Sequence, residues 1–325
     1  MKKQELRIGI VGNVDVGKTS LISVLTNNIL DNGRGIARNL VMKHPHEKES
    51  GRTSSITLNF MRTFFNSLDE LNDIENKQIF SYNKDGNIKH IINKNKEEEN
   101  KSVAHNLAEY KNEKVINLID LAGHEKYLKT TIRGINGCMV DYICILISSN
   151  NGVQRMTKEH LGVALALNIP IFIVITKVDV APKNILTNSI NNIKKILKKR
   201  NMKTINMTDV NDIKIMKEFY NSGNYKTIIP LFKLSSVTGK GLPLFKQFLF
   251  NIDPYKKFEE LEIEKPHFII ESTYKIVGVG IVVSGTMKSG IIKKNDVLKL
   301  GPYKGDFLNI VIKSIHNNFK EEVPL

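Results

Sequence analysis

Cysteine is scarce: Cys138 and Cys144 are the only two in 325 residues, which excludes a disulfide framework and suits a reducing compartment. Neither has a His or Cys neighbour at metal-ligand spacing, so both read as small buried apolar residues. The opening Met1-Lys-Lys-Gln-Glu lacks the apolar stretch of a signal peptide. Long hydrophobic runs are missing as well; stretches such as Ile169 to Thr176 are strand-length rather than membrane-spanning. These absences predict a soluble, cytoplasmic protein with no membrane partner. Acidic residues are in deficit, 33 Asp and Glu against 48 Lys and Arg, and the net charge of +15 points to acidic partners, RNA first among them. The 41% hydrophobic content is enough to bury one large domain and a smaller one.

Against that background one segment stands out. Residues 12–19 read Gly-Asn-Val-Asp-Val-Gly-Lys-Thr, between an apolar strand (Leu6 to Val11) and a helix carried by Leu21, Ile22, Val24 and Leu25. A strand handing over to a helix N-terminus is the context in which such a loop cradles phosphate. Gly12, Asn13, Val14, Asp15, Val16 and Gly17 supply consecutive backbone N–H groups, and the helix dipole adds partial positive charge. Gly12 and Gly17 permit torsions and close approach that a Cβ would obstruct. Lys18 is expected to reach the β- and γ-phosphates, and the Thr19 hydroxyl to ligate Mg2+. The chain therefore reads as a nucleoside triphosphate binder.

The base is read further on. Residues 171–180 form an apolar run ending in Thr176, Lys177, Val178 and Asp179. A carboxylate at such a strand end can accept from the guanine N1–H and N2–H2 pair, whereas adenine leaves it poorly paired, so Asp179 favours guanine. Lys177 can lay its alkyl stem along the base. Another strand, Val115 to Ile119, leads into Asp120, Leu121, Ala122, Gly123 and His124. An aspartate just past an apolar strand suits an outer role at Mg2+. Gly123 can bring its N–H to the γ-phosphate and act as a hinge. His124 stands where a residue could orient the attacking water. Ile228 to Leu234, followed by Ser235, Ser236 and Val237, is a further strand ending in small polar residues, with backbone to offer to guanine O6.

The ordered set of residues 12–19, 120–125, 176–179 and 235–237 resembles a translational GTPase of the elongation factor 1 alpha and elongation factor Tu class. Asp31 to Asn39, Glu49 to Ser55, Asp120 to Thr131 and Met156 to Asn168 are similar to the GTP-binding protein 1 and 2 family in particular. The resemblance implies a GTP-hydrolysing switch domain followed by a β-barrel, with a role in translation, ribosome surveillance or RNA turnover. It implies that Asn13 to Ser20 hold the phosphates, that Thr53 is the switch threonine closing on Mg2+, and that His124 positions water. Thr176 stands where the family has Asn, and a hydroxyl makes fewer tethering bonds than an amide, so weaker nucleotide affinity is expected. Ser235-Ser236-Val237 also departs from the commoner Ser-Ala pattern. Arg52 occupies a place where these factors carry an apolar residue, with Val14 at the other half of that gate. Its guanidinium could stabilise phosphate charge in cis, or simply point outward to a partner.

The predicted fold class is α/β: a phosphate-loop GTPase domain with a doubly wound, mostly parallel sheet, followed by part of an all-β barrel. The GTP-binding domain is expected over 1–252, with a polar insertion at about 66–113 that holds a short hairpin around Lys84 to Asn87. Residues 201–226 read as a second, helix-rich excursion. A linker covers 253–265, and short strands near 268–274, 279–284, 297–300 and 310–314 begin the barrel over 266–325, which looks truncated. A helix from Pro182 should bury Ile185, Leu186, Ile190, Ile193 and Leu197. Its lysines, Lys194, Lys195 and Lys198, with Lys199 and Arg200, make either a solvated face or an RNA contact. The expected reaction is attack of water on the γ-phosphate of GTP, giving GDP, with Lys18 and His124 as the catalytic residues. Mg2+ is expected at Thr19 and Thr53, beside Asp120. Ribosome, tRNA or another RNA are the expected partners of a monomer. Two rivals remain open: a GTP-dependent binding module that does not hydrolyse, and an ATP-using kinase or ATPase sharing the phosphate loop.

Overall fold

A computed structural model describes residues 2–42, 45–50, 53, 56–65, 79–82, 88–91, 111–221, 227–255, 261–317 and 322–323. The chain divides into two compact units, Met1–Ser81 with Ile88–Tyr255, and Tyr82–Asn87 with Lys256–Leu325.

The first unit is built on nine strands: β1 (Lys2–Gly12), β2 (Thr57–Phe65), β3 (Ile79–Tyr82), β4 (Ile88–Ile91), β5 (Asn112–Asp120), β6 (Tyr142–Ser148), β7 (Ile171–Thr176), β8 (Lys203–Asn206) and β9 (Ile228–Lys233). Their order is β4-β3-β2-β5-β1-β6-β7-β9-β8. From β5 to β8 every pairing is parallel, whereas β2 runs antiparallel to both β5 and β3. Strands β6 and β7 are buried along their whole length, as a sheet covered on both faces requires.

The period of two sorts their side chains between two cores. Cys144, Leu146, Phe172 and Val174 join Leu21 and Leu25 of α1 (Lys18–Asn27), Met216 of α6 (Val210–Asn221) and Phe245 and Phe248 of α7 (Leu242–Asn251). Ile143, Ile145, Ile171 and Ile173 join Ile135 of α3 (Leu128–Gly137), Leu161 of α4 (Arg155–Ala166), and Ile193 and Leu197 of α5 (Lys183–Lys198). Phe232 packs against Phe245 and Phe248 with ring centroids 5.0 and 4.8 Å apart. Each such aromatic pair adds about 0.5–1.5 kcal/mol beyond area burial. Lys114 is buried yet satisfied: its ammonium donates to the carbonyls of Phe250 and Ile252 at 2.8 and 2.6 Å, fastening β5 to the C-terminal end of α7. A cation there also suits the helix dipole. Cys138 and Cys144 are buried free thiols.

Three expectations change. Residues 201–226 contribute β8 to the sheet edge as well as α6, because Lys203–Asn206 pairs in parallel with Ile228 to Leu231. The insertion also extends the sheet, through β3 and β4, while the turn expected at Lys84 to Asn87 lies outside the described residues. On α5, Ile185 is 36% exposed, because it falls off the stripe through Leu186, Ile190, Ile193 and Leu197.

In the second unit, β10 (His267–Ile276) pairs antiparallel with β11 (Gly280–Ser289), and β12 (Val297–Tyr303) with β13 (Asp306–Val311). These hairpins fit part of a β-barrel. The last strand begins earlier than its apolar run suggests, because Lys304 and Gly305 adopt φ of 51° and 95° and pair Tyr303 with Asp306. Positive φ at both central residues is what a tight hairpin turn demands.

Candidate nucleotide-binding site

Strand β1 ends at Gly12, and α1 begins six residues past it at Lys18. Its N-cap is Gly17, in the left-handed region at φ 89°, with no side chain to cap the helix. The first N–H groups are thus left to an anion rather than to a serine or aspartate oxygen. A Cβ on Gly12 would stand 2.6 Å from the Leu146 carbonyl, so the loop packs on β6 only as glycine. Lys18 is buried, and its ammonium donates to the carbonyls of Gly12 and Asn13 at 3.2 and 2.9 Å. Burial pulls its pKa down, opposed by the negative charges of Asp120 and Asp15.

Beside Lys18 three oxygen-bearing side chains converge. Thr19 Oγ1 donates to Asp120 Oδ2 at 2.6 Å, and Thr53 Oγ1 donates to the same oxygen at 3.2 Å. The two hydroxyls are 2.8 Å apart. Asp120 is 1% exposed, and its other oxygen, Oδ1, is buried with no hydrogen-bond partner among the described residues. Burial raises the pKa of this carboxyl; the charge of Lys18 and the bonds from Thr19 and Thr53 oppose the rise, and Glu47 adds to it. Two hydroxyls around a buried carboxylate with a spare lone pair are the hard-oxygen donors that Mg2+ takes. Gly123 closes this end: a Cβ there would stand 2.5 Å from the Gly12 carbonyl oxygen and 2.9 Å from the Asn13 carbonyl carbon. Ala122 is held by the Thr131 hydroxyl, which donates to its carbonyl at 2.9 Å, and Leu121 donates to the Ile10 carbonyl.

The other end is bound to the loop through Thr176. Its hydroxyl is buried and donates to the Val16 carbonyl at 2.7 Å, so the residue in the place of Asn keeps one tether between the two motifs. Lys177 turns into the left-handed region at φ 59°, its carbonyl held by the Ser149 hydroxyl at 2.6 Å. The end of β9 is stitched alongside: Leu234 donates to Ile175, and Val178 to Leu234. Ser235 Oγ accepts from the backbone of Val237 and Thr238 at 3.2 and 3.0 Å, which shapes the loop. Ser236 accepts from the Asp31 backbone at 2.9 Å, bringing the segment after α1 onto this loop.

Lys18, Thr19, Thr53, Asp120 and Gly123 thus form one cluster, and Thr176, Val178, Ser235 and Ser236 a second, joined through Val16. Asn13, Val14 and Ser20 are half-buried along the loop and the first turn of α1, while Asp15 is exposed. Asp179 and Val237 stand exposed at their loops. His124 is outside both clusters: it is exposed, and its Nδ1 accepts from the Lys126 backbone at 3.2 Å within its own turn. Arg52 lies outside the described residues. Two residues had no signal in their local pattern. Glu47, on the short helix α2 (Pro45–Ser50), is 1% exposed and acts electrostatically on Asp120. His160 of α4 is buried, both its ring nitrogens lack a hydrogen-bond partner among the described residues, and burial together with the Lys18 charge lowers its pKa to about 4.

A phosphate loop on the first strand, a threonine–aspartate cluster beside it and two strand-end loops across the sheet define a nucleotide-binding domain of the phosphate-loop class. The sequence model of the elongation factor Tu GTP binding domain matches residues 3–257, and the chain belongs to that GTPase family. It is 41% identical over 313 residues to GTP-binding protein 1 of Xenopus laevis, covering 96% of this chain and 44% of that protein. It is 37% identical over 321 residues to GTP-binding protein 2 of Homo sapiens, covering 97% of this chain and 48% of that protein. The fold is similar to that of translation elongation factor SelB from Methanococcus maripaludis, solved with a GTP analogue, at a TM-score of 0.59 and 22% identity over 99% of this chain and 49% of that one. The chain therefore spans about half the length of the relatives it matches. Among the described residues, no helix is long and apolar enough to cross a membrane.

Proposed function

We propose that this chain is a Mg2+-dependent switch that hydrolyses GTP to GDP and phosphate, and that it acts with RNA or the ribosome in the cytoplasm, in translation, ribosome surveillance or RNA turnover. Residues 1–252 would form the switch domain, with 253–265 linking it to a barrel domain that begins at 266. The observation that carries the reading is the Thr19–Thr53–Asp120 cluster beside Lys18, with Asp120 Oδ1 unpaired among the described residues.

Thr19 and Thr53 would hold Mg2+ directly and Asp120 would orient its shell; when bound, the ion neutralises charge on the β- and γ-phosphates. Lys18 exchanges its two carbonyl partners for phosphate oxygens. The loop N–H groups and the N-terminus of α1 bind the β-phosphate. Gly123 presents backbone to the γ-phosphate, and its loss after hydrolysis frees Thr53 and Gly123 together, so both switch segments relax. His124 faces outward, which supports slow intrinsic turnover; a partner that turns it inward would let its ring orient the attacking water. Asp179 selects guanine.

Titrating a fluorescent, non-hydrolysable GTP analogue with and without Mg2+ tests the carrying observation. Thr53→Ala should abolish most of the Mg2+-dependent gain for the triphosphate and leave GDP binding nearly unchanged. An equal gain in the variant would refute the role of the cluster. Wild-type Mg2+-dependent binding with no GDP release, even with ribosomes present, would favour a switch that does not hydrolyse.

A further inference from the structure

Helix α5 carries an unusual charge distribution. Between Asp179 and Asp209 the sequence has no acidic residue, yet it contains Lys183, Lys194, Lys195, Lys198, Lys199, Arg200 and Lys203. All seven are exposed. Among the described residues, none of these cations has an ion-pair partner. Lys183, Lys194, Lys195 and Lys198 lie on α5, Lys199 and Arg200 just past its end and Lys203 at the start of β8, and the self-repulsion of such a run is a cost that folding alone does not require.

The side chains between the lysines sharpen the reading. Asn188, Asn191, Asn192, Lys194, Lys195 and Lys198 line a shallow open hollow on the outer face of the helix. Asn184, Asn188, Asn191, Lys195 and Lys198 follow one another at spacings of three and four, which places them in a single stripe along the axis. Ile193 and Leu197 hold the opposite face in the core, so the stripe is rigidly presented. The helix has one exposed large apolar side chain, Ile185, near its start. Protein-binding surfaces centre on aromatic or other apolar anchors and are depleted of lysine. Amides and ammonium groups without such an anchor are the side chains that contact phosphate and sugar oxygens.

We infer that the outer face of α5 is a docking surface for the phosphate backbone of RNA, read without base specificity. This names the surface behind the RNA clause of the proposed function and does not depend on GTP hydrolysis. Asn188 and Asn191 would donate to phosphate or ribose oxygens, and Lys194, Lys195 and Lys198 would neutralise three phosphates. Neutralising three phosphates of a single strand contributes a log–log salt slope of about −2, so over a fourfold rise in salt these lysines would account for about 20-fold of the affinity loss.

The test is fluorescence anisotropy with a short, labelled single-stranded RNA on the full chain, between about 50 and 200 mM salt. Lys194→Gln/Lys195→Gln/Lys198→Gln should shrink the salt-dependent loss by about 20-fold relative to wild type. A control, Lys288→Gln/Lys299→Gln/Lys313→Gln, removes equal charge from exposed positions in the second unit and should keep the wild-type slope. Guanine-nucleotide binding measured on the same samples should be unchanged in both. An unchanged slope in the α5 variant, or an equal change in the control, overturns the surface while leaving RNA binding itself intact. No RNA binding by the wild-type chain overturns both. Binding of a poly-glutamate peptide as tightly as RNA, lost in the α5 variant, reassigns the face to an acidic protein and also overturns the inference.

Discussion

Replacing Thr176 with Val removes one hydroxyl and keeps the outline of the side chain. The hydroxyl is buried and donates to the Val16 carbonyl at 2.7 Å. Val16 sits between Asp15 at φ 60° and Gly17 at φ 89°, in a loop whose own torsions do little to hold it. Losing a buried partner costs about 1–3 kcal/mol, and 1.4 kcal/mol is tenfold in an equilibrium. The cost falls on the ordered loop, so the competent fraction drops and apparent GDP affinity falls by about 5- to 150-fold. Stopped-flow release of fluorescent GDP reads this as faster dissociation, and urea unfolding should show a lower midpoint at unchanged slope. Thr176→Ser keeps the donor and should remain within about threefold of wild type. If the Val variant releases GDP at the wild-type rate and unfolds at the wild-type midpoint, the tether between the guanine motif and the phosphate loop has no energetic role.

Gly123→Ala would set a methyl against the Lys18 ammonium and 2.5 Å from the Gly12 carbonyl oxygen, a backbone atom, so a loss of about 1–3 kcal/mol in stability or nucleotide binding is expected by urea titration and calorimetry. His160 has a folded pKa of about 4, below its ordinary 6.5, so the unfolded chain takes up the proton first as pH falls. Stability should therefore drop between pH 6.5 and about 4, by up to roughly 3 kcal/mol, and His160→Gln should flatten that slope in chemical denaturation. Arg62 and Glu113 form a buried ion pair at 2.5 Å, with side chains 10% and 3% exposed. Glu113→Leu alone should cost about 3–5 kcal/mol, and adding Arg62→Met should recover much of it, as read in a double-mutant cycle.

The sheet was legible where burial leaves a continuous apolar run, as in residues 142–148 and 171–176, because a strand covered on both faces tolerates little else. It was illegible at Lys203–Asn206, where Ile205 alone is apolar and an edge strand is held mainly by backbone pairing to β9. The phosphate loop announced itself because its chemistry is local: glycines, lysine and threonine within eight positions. Thr176 shows the limit of such reading. The residue predicts fewer bonds than an amide, but not that its hydroxyl lands on Val16, 160 positions away in sequence. Glu47 and His160 owe their environments to tertiary packing, so no spacing rule marks them. The hairpin of β12 and β13 started early because two positive-φ residues, Lys304 and Gly305, outweighed the apolar pattern of Ile310 to Ile312.

The central claim is that the phosphate loop and the guanine-side strand ends act as one site on one nucleotide. Isothermal calorimetry of the full chain with Mg2+, comparing GTP with ATP and repeating the pair with Asp179→Asn, tests it most directly. GTP should bind far more tightly than ATP, and the variant should lose GTP affinity and gain affinity for xanthosine triphosphate. Equal heats for GTP and ATP, or binding of neither, would contradict the account.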